Sequence, residues 1–138
     1  MNNKVFVYGT LKQGWGGNSI LEGAKKLGVA ETRKRYSVIG SGFPRAFAED
    51  DPNFQKELSG YLIGEAYEVS EKMMERMDYY EGHPDFFERK KVVVTLENDE
   101  KIIAWMYHSK HKPNDNYSCV PNAHERIVWP NMLKKMES

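Results

Sequence analysis

The sequence predicts an α+β fold: a small, curved, mostly antiparallel β-barrel with a few short helices. Three observations support this. Between Leu58 and Val69, the residues Tyr61, Ile63, Tyr67 and Val69 keep a strand period, and Gly60 and Gly64 interrupt it as bends or bulges do in a curved sheet. Phe86 to Leu96 and Lys101 to Ser109 form two strand-like runs around the polar Glu97-Asn98-Asp99-Glu100, which predicts a hairpin. The best helical spacing lies between these two regions, so helix is the minor component.

The elements follow in order. Lys4 to Tyr8 is an apolar run that suits a buried strand, and the glycine-rich Gly14-Trp15-Gly16-Gly17 after it is expected to be a mobile or ligand-wrapping loop. Asn18 is placed to cap a helical turn through Ser19, Ile20, Leu21 and Ala24. Two short strands are expected at Gly28 to Lys34 and Tyr36 to Ile39. The turn cluster Gly40-Ser41-Gly42-Phe43-Pro44 and a strand from Arg45 to Ala48 follow. Asp50-Asp51-Pro52-Asn53 is an exposed loop. Ser70 supplies a helix N-cap, Glu71 suits the first turn, and Met73, Met74, Met77 and Tyr80 share one face of that helix. Lys112 to Arg126 lacks periodicity and reads as a loop packed on the surface. Ile127, Val128, Trp129, Met132 and Leu133 are expected to dock a closing segment, with Pro130 near the start of a short helix.

Composition narrows the function. At 138 residues the chain is expected to form one domain, with 40% hydrophobic and 29% charged residues. Twenty basic residues balance twenty acidic ones, so no overall field draws it to nucleic acid or to an anionic membrane. The lone Cys119 excludes an internal disulfide and a cysteine-rich zinc module, and it suits a reducing, cytoplasmic setting. No apolar stretch approaches the roughly 18 residues that span a bilayer.

Two stretches carry chemistry. The strand Val5 to Tyr8 runs straight into Gly9-Thr10, leaving backbone N–H groups without strand partners, so Tyr8, Gly9, Thr10 and Leu11 form a candidate anion cradle. Met77-Asp78-Tyr79-Tyr80-Glu81-Gly82 puts a carboxylate at a helix end beside tyrosines, where apolar surroundings raise its pKa toward neutrality. Donors facing a tuned carboxylate suggest acyl chemistry. Asp78, three residues earlier, either raises that pKa by like-charge repulsion or serves a helix-surface or capping role.

The order of these pieces resembles the gamma-glutamylcyclotransferase-like (AIG2-like) superfamily. Phe6-Val7-Tyr8-Gly9-Thr10-Leu11-Lys12 is similar to its N-terminal signature, and Gly64-Glu65-Ala66-Tyr67-Glu68-Val69 to its central strand. Met77 to Gly82 is similar to its acidic motif and Ala104-Trp105-Met106-Tyr107 to its last barrel strand. The resemblance covers roughly residues 4 to 109 and leaves 110–138 as a poorly covered extension. Within it, Glu81-Gly82-His83-Pro84-Asp85-Phe86-Phe87-Glu88-Arg89 most resembles the gamma-glutamylamine cyclotransferase branch, with Phe87 where that branch commonly has tyrosine.

The resemblance implies that the α-amino group of a gamma-glutamyl compound attacks its own γ-carbonyl, closing 5-oxoproline and expelling an amine. Glu81 would be the general acid and base, Tyr8 to Leu11 the substrate-binding turn, and no metal or cofactor is needed. A small gamma-glutamyl molecule is the implied partner. An alternative of another class is a noncatalytic pocket protein of the same fold that binds a small anionic metabolite.

Blander readings apply elsewhere. His108, His111, Cys119 and His124 fit no standard zinc spacing. Gly14 to Gly17 is neither a dinucleotide fingerprint nor a P-loop, and Ser41 lacks the flanks of a nucleophile elbow. The methionines of the helix are core packing, as are Trp15, Trp105 and Trp129.

Overall fold

The strand Val5-Phe6-Val7 is apolar on both faces, and the structure gives it two cores to fill. The structure is a computed structural model that describes residues 3–111 and 115–136. Its elements in chain order are β1 (Asn3–Val7), β2 (Lys25–Ile39), β3 (Arg45–Ala48), β4 (Gly60–Val69), α1 (Glu71–Glu81), β5 (Phe87–Leu96), β6 (Lys101–Ser109), β7 (Tyr117–Cys119), β8 (Arg126–Ile127) and β9 (Leu133–Lys135). Short 3-10 turns cover Gly16–Leu21 and Lys56–Leu58.

Five strands close a barrel in the order β1-β4-β2-β5-β6 and back to β1. Four seams are antiparallel, and the fifth, β6 against β1, is parallel at Val5 and Trp105. The expected barrel is present, and it is mostly antiparallel with one parallel seam. Phe6 points into the barrel with Leu62, Val94, Met106 and Trp129. Val5 and Val7 point outward, where Met74, Met77, Tyr67 and Phe87 cover them. Alternation along one short strand thus supplies both cores.

The helix forms as its sequence predicts. The Ser70 side chain accepts a hydrogen bond from the Met73 N–H at 3.2 Å, and Met74 and Met77 are buried. Gly82 ends the helix with φ of 68°, a left-handed position that suits glycine. α1 therefore lies along the outside of β1 and delivers its last turn to the end of that strand.

Several expectations change. Gly28 to Ile39 is not two strands but part of the single β2, whose register against β4 shifts between Lys26 and Gly28 and between Glu31 and Arg35. Those irregularities lie on β2, whereas the glycines of β4 suggested the bends there. Asn18 does not cap its turn; its side-chain amide donates to the Leu11 carbonyl instead, at 2.9 Å. The segment expected to be surface loop contributes β7 and β8. Ser118 and Cys119 are buried, β7 joins β2 through Ile39 and Ser118, and β8 runs parallel to β4. The first residues of that expected loop, 112–114, lie outside the described residues. Ile127 and Trp129 dock fully, but Pro130 starts no helix and Met132 is exposed.

Candidate active site

Where β1 ends at Val7, the chain turns instead of continuing the ladder, with the Lys12 N–H donating to the Gly9 carbonyl at 3.0 Å. Among the described residues, the N–H groups of Gly9, Thr10 and Leu11 find no hydrogen-bond acceptor. A narrow cleft opens at this turn, lined by Phe6 to Leu11, Phe43, Pro44, Glu81 and Tyr107. Glycine is required at position 9, because a side chain there would collide with the Pro44 ring.

Glu81, the last residue of α1, supplies the cleft's single formal charge. Burial pushes its carboxyl up to about 7. The carbonyl end of the helix acts in the same direction, because it disfavours negative charge. Among the described residues the carboxyl has no hydrogen-bond or ion-pair partner, so it faces the cleft free.

Asp78 has a different task from the like-charge repulsion considered for it. Its Oδ1 accepts from Arg89 Nε at 2.8 Å and from the Tyr107 hydroxyl at 2.6 Å. That tie holds α1 to β5 and β6 and fixes Tyr107 in the cleft wall. The Tyr107 carbonyl accepts from the Tyr8 hydroxyl at 2.9 Å, and burial raises the pKa of both phenols, keeping them neutral. Tyr8 thus serves the wall with its side chain while its backbone leads into the turn.

The loops around the cleft are fastened. Thr10 Oγ1 and the Tyr80 hydroxyl share a hydrogen bond of 2.8 Å, and the Gly17 N–H donates to the Thr10 carbonyl at 2.9 Å. Lys12 is buried and its Nζ donates to the Trp129 carbonyl at 2.6 Å, while Trp129 Nε1 donates to the Gly40 carbonyl at 2.8 Å. Trp15 packs on Trp129 with ring centroids 4.8 Å apart. The glycine-rich stretch expected to be mobile or to wrap a ligand is therefore anchored to the C-terminal segment.

The family Gamma-glutamyl cyclotransferase, AIG2-like matches this chain over residues 5–126. The chain belongs to that family. Among its gamma-glutamyl cyclotransferase relatives, a Methanocaldococcus jannaschii protein named "Putative gamma-glutamylcyclotransferase" is 36% identical over 104 residues, 75% of this chain and 81% of the relative. The gamma-glutamylaminecyclotransferase of Bos taurus is 34% identical over 103 residues, 67% of this chain and 56% of that protein. The fold is shared with the crystal structure of an AIG2-like protein from Mus musculus, with a TM-score of 0.68 at 22% identity, covering 82% of this chain and 80% of that one.

In this gamma-glutamyl cyclotransferase fold the candidate residues Tyr8, Gly9, Thr10, Leu11 and Glu81, far apart in sequence, line one cleft. Five further wall residues, Phe6, Val7, Phe43, Pro44 and Tyr107, escape the sequence reading as site residues. Phe43 and Pro44 look like turn residues and Tyr107 like an ordinary strand residue, and only the closure of the barrel brings them to Glu81. Two of the residues weighed for zinc, His108 and Cys119, are buried in other surroundings. The His108 ring nitrogens bond the Met106 carbonyl and the Tyr36 hydroxyl, and burial pushes the Cys119 thiol up to about 12. Among the described residues no three His, Cys, Asp or Glu side chains gather as a metal site, and no helix is long and apolar enough to cross a membrane.

Proposed function

We propose that this chain is a cyclotransferase for gamma-glutamyl amines or related gamma-glutamyl compounds, with Glu81 as general acid and base and the turn from Tyr8 to Leu11 as the backbone cradle. The observation that carries the reading is the unpartnered Glu81 carboxyl, with a pKa raised to about 7, in one cleft with three unused N–H donors. The amine branch is supported by the gamma-glutamylaminecyclotransferase names among the relatives and by the Glu81 to Arg89 pattern.

The steps follow from these groups. Ionised Glu81 takes a proton from the substrate's α-ammonium, and the freed amine attacks the γ-carbonyl carbon to form the five-membered ring. The carbonyl oxygen becomes an oxyanion, which the cradle N–H groups stabilise by about 3 kcal/mol. The same N–H groups also suit the substrate's α-carboxylate. Glu81 then gives its proton to the leaving nitrogen, the oxyanion re-forms the carbonyl as the exocyclic C–N bond breaks, and the Glu81 carboxylate passes the extra proton of the ring nitrogen to the released amine, leaving 5-oxoproline and a free ammonium. One carboxyl at about 7 serves these transfers, and such help is typically worth about a hundredfold to ten-thousandfold. Amine and carbonyl share one molecule, so holding the substrate folded supplies much of the remaining acceleration. We infer one domain over 1–138, because barrel strands and α1 together build the cleft, and the free, buried Cys119 suits a cytoplasmic setting.

Mass spectrometry of mixtures containing gamma-glutamyl amino acids, gamma-glutamyl-lysine and glutathione tests the reading. 5-Oxoproline should appear with the wild-type chain and not with Glu81→Gln. Ligand binding undiminished by Glu81→Gln, with no turnover by either form, would favour a noncatalytic pocket protein.

A further inference from the structure

The gamma-glutamyl part of the proposed substrate must put its amine at Glu81 and its carbonyl at the turn, so the leaving amine faces the mouth of the cleft. That mouth is aromatic. Phe43 lines the cleft and Tyr80 stands beside it, outside the lining, with ring centroids 6.5 Å apart; the two are 37% and 38% exposed. Phe43 also meets Phe87 edge-on at 5.7 Å, and Phe87, which has no hydroxyl, lies under the Arg45 guanidinium at 5.6 Å. Arg45 does not line the cleft, and its Nη1 is buried without a hydrogen-bond partner among the described residues. Of the residues lining the cleft only Glu81 carries formal charge. A carboxylate on the leaving side would find no counter-charge in the lining and an ammonium would find only Glu81, which the reaction itself uses, whereas a flat apolar group would meet aromatic faces.

Phe43 is also held in place. The Gly40 N–H donates to the Tyr117 carbonyl at 2.7 Å, Trp129 Nε1 donates to the Gly40 carbonyl at 2.8 Å, and the Ser41 N–H and hydroxyl donate to Asp115 Oδ2 at 2.9 and 2.8 Å. Three residues of the C-terminal segment thus pin the turn that presents Phe43. A side chain ordered before binding loses less freedom on contact.

We propose that the mouth of the cleft is the leaving-group subsite, that it selects amines bearing an aromatic group, and that Phe43 is its specificity-determining residue. This rests on the cyclotransferase reading and narrows its substrate class. The preference is tested by kcat/KM for 5-oxoproline release from gamma-glutamyl-benzylamide and Nε-gamma-glutamyl-lysine, on the wild type, Phe43→Leu and Phe43→Ala. The benzylamide should lead by about tenfold in the wild type, less in Phe43→Leu, and not at all in Phe43→Ala. A preference for the lysine compound, or a ratio untouched by Phe43→Ala, would overturn the proposal. If no compound releases 5-oxoproline, the cyclotransferase reading fails. Calorimetry with the same two compounds then decides the subsite: tenfold tighter benzylamide binding lost in Phe43→Ala supports it, and equal binding overturns it.

Discussion

A carboxyl group left without a partner and titrating near neutrality is a cost to the fold, and at Glu81 that cost is measurable. Its usual value of 4.5 is raised to about 7 by burial. Between those values the unfolded chain has released a proton that the folded chain still holds, so stability falls as pH rises from about 4.5 to about 7. Glu81→Gln should therefore match the wild type in urea unfolding at pH 4 and exceed it by roughly 1–3 kcal/mol at pH 8, a sign opposite to its effect on activity. Gly9 faces another constraint. Its backbone approaches Pro44 so closely that Gly9→Ala must push the Phe43-Pro44 turn away, and the expected result is a loss of about 1–3 kcal/mol with lowered turnover. Wild-type turnover and melting temperature in Gly9→Ala would show that the cradle tolerates displacement. Glu81 and Gly9 are both visible in the sequence as motif residues. Their reasons are not, because burial and the approach of Pro44 come from elements tens of residues away.

Local pattern suffices for α1, for the hairpin of β5 and β6, and for the end of β1, because capping, alternation and turn chemistry act over a few residues. It fails for β2, where charged Glu31, Arg33, Lys34 and Arg35 break the apolar run at the register shift, so that one long strand looks like two. It fails again for Asp78, whose role depends on β5 and β6. Asp78 ties three elements together through Arg89 and Tyr107 in a half-buried cluster, with side-chain exposures of 23% for Arg89 and 21% for Asp78. Asp78→Ala leaves a guanidinium and a phenol unpaired there. Thermal unfolding should show a loss of about 1–3 kcal/mol, and turnover should fall as Tyr107 loses its anchor.

At the scale of the molecule, the family match ends at residue 126, but the fold's largest fully buried side chain, Trp129, comes after it. The C-terminal segment does not merely cover the surface: it plugs the barrel and holds both loops of the cleft, through Lys12 on one side and Gly40 on the other. Sequence pattern misses this because the partners of Trp129 lie 117 and 89 residues away. Trp129→Ala should cost about 3–5 kcal/mol, a fall of roughly 10–20 °C in Tm by calorimetry. Barrel, helix and tail thus converge on one cleft with a single carboxyl that titrates near neutrality. The pH dependence of kcat/KM for 5-oxoproline release tests that convergence most directly. The account predicts an acid limb with its midpoint near pH 7 in the wild type and no detectable release by Glu81→Gln at any pH; release by Glu81→Gln at the wild-type rate would contradict it.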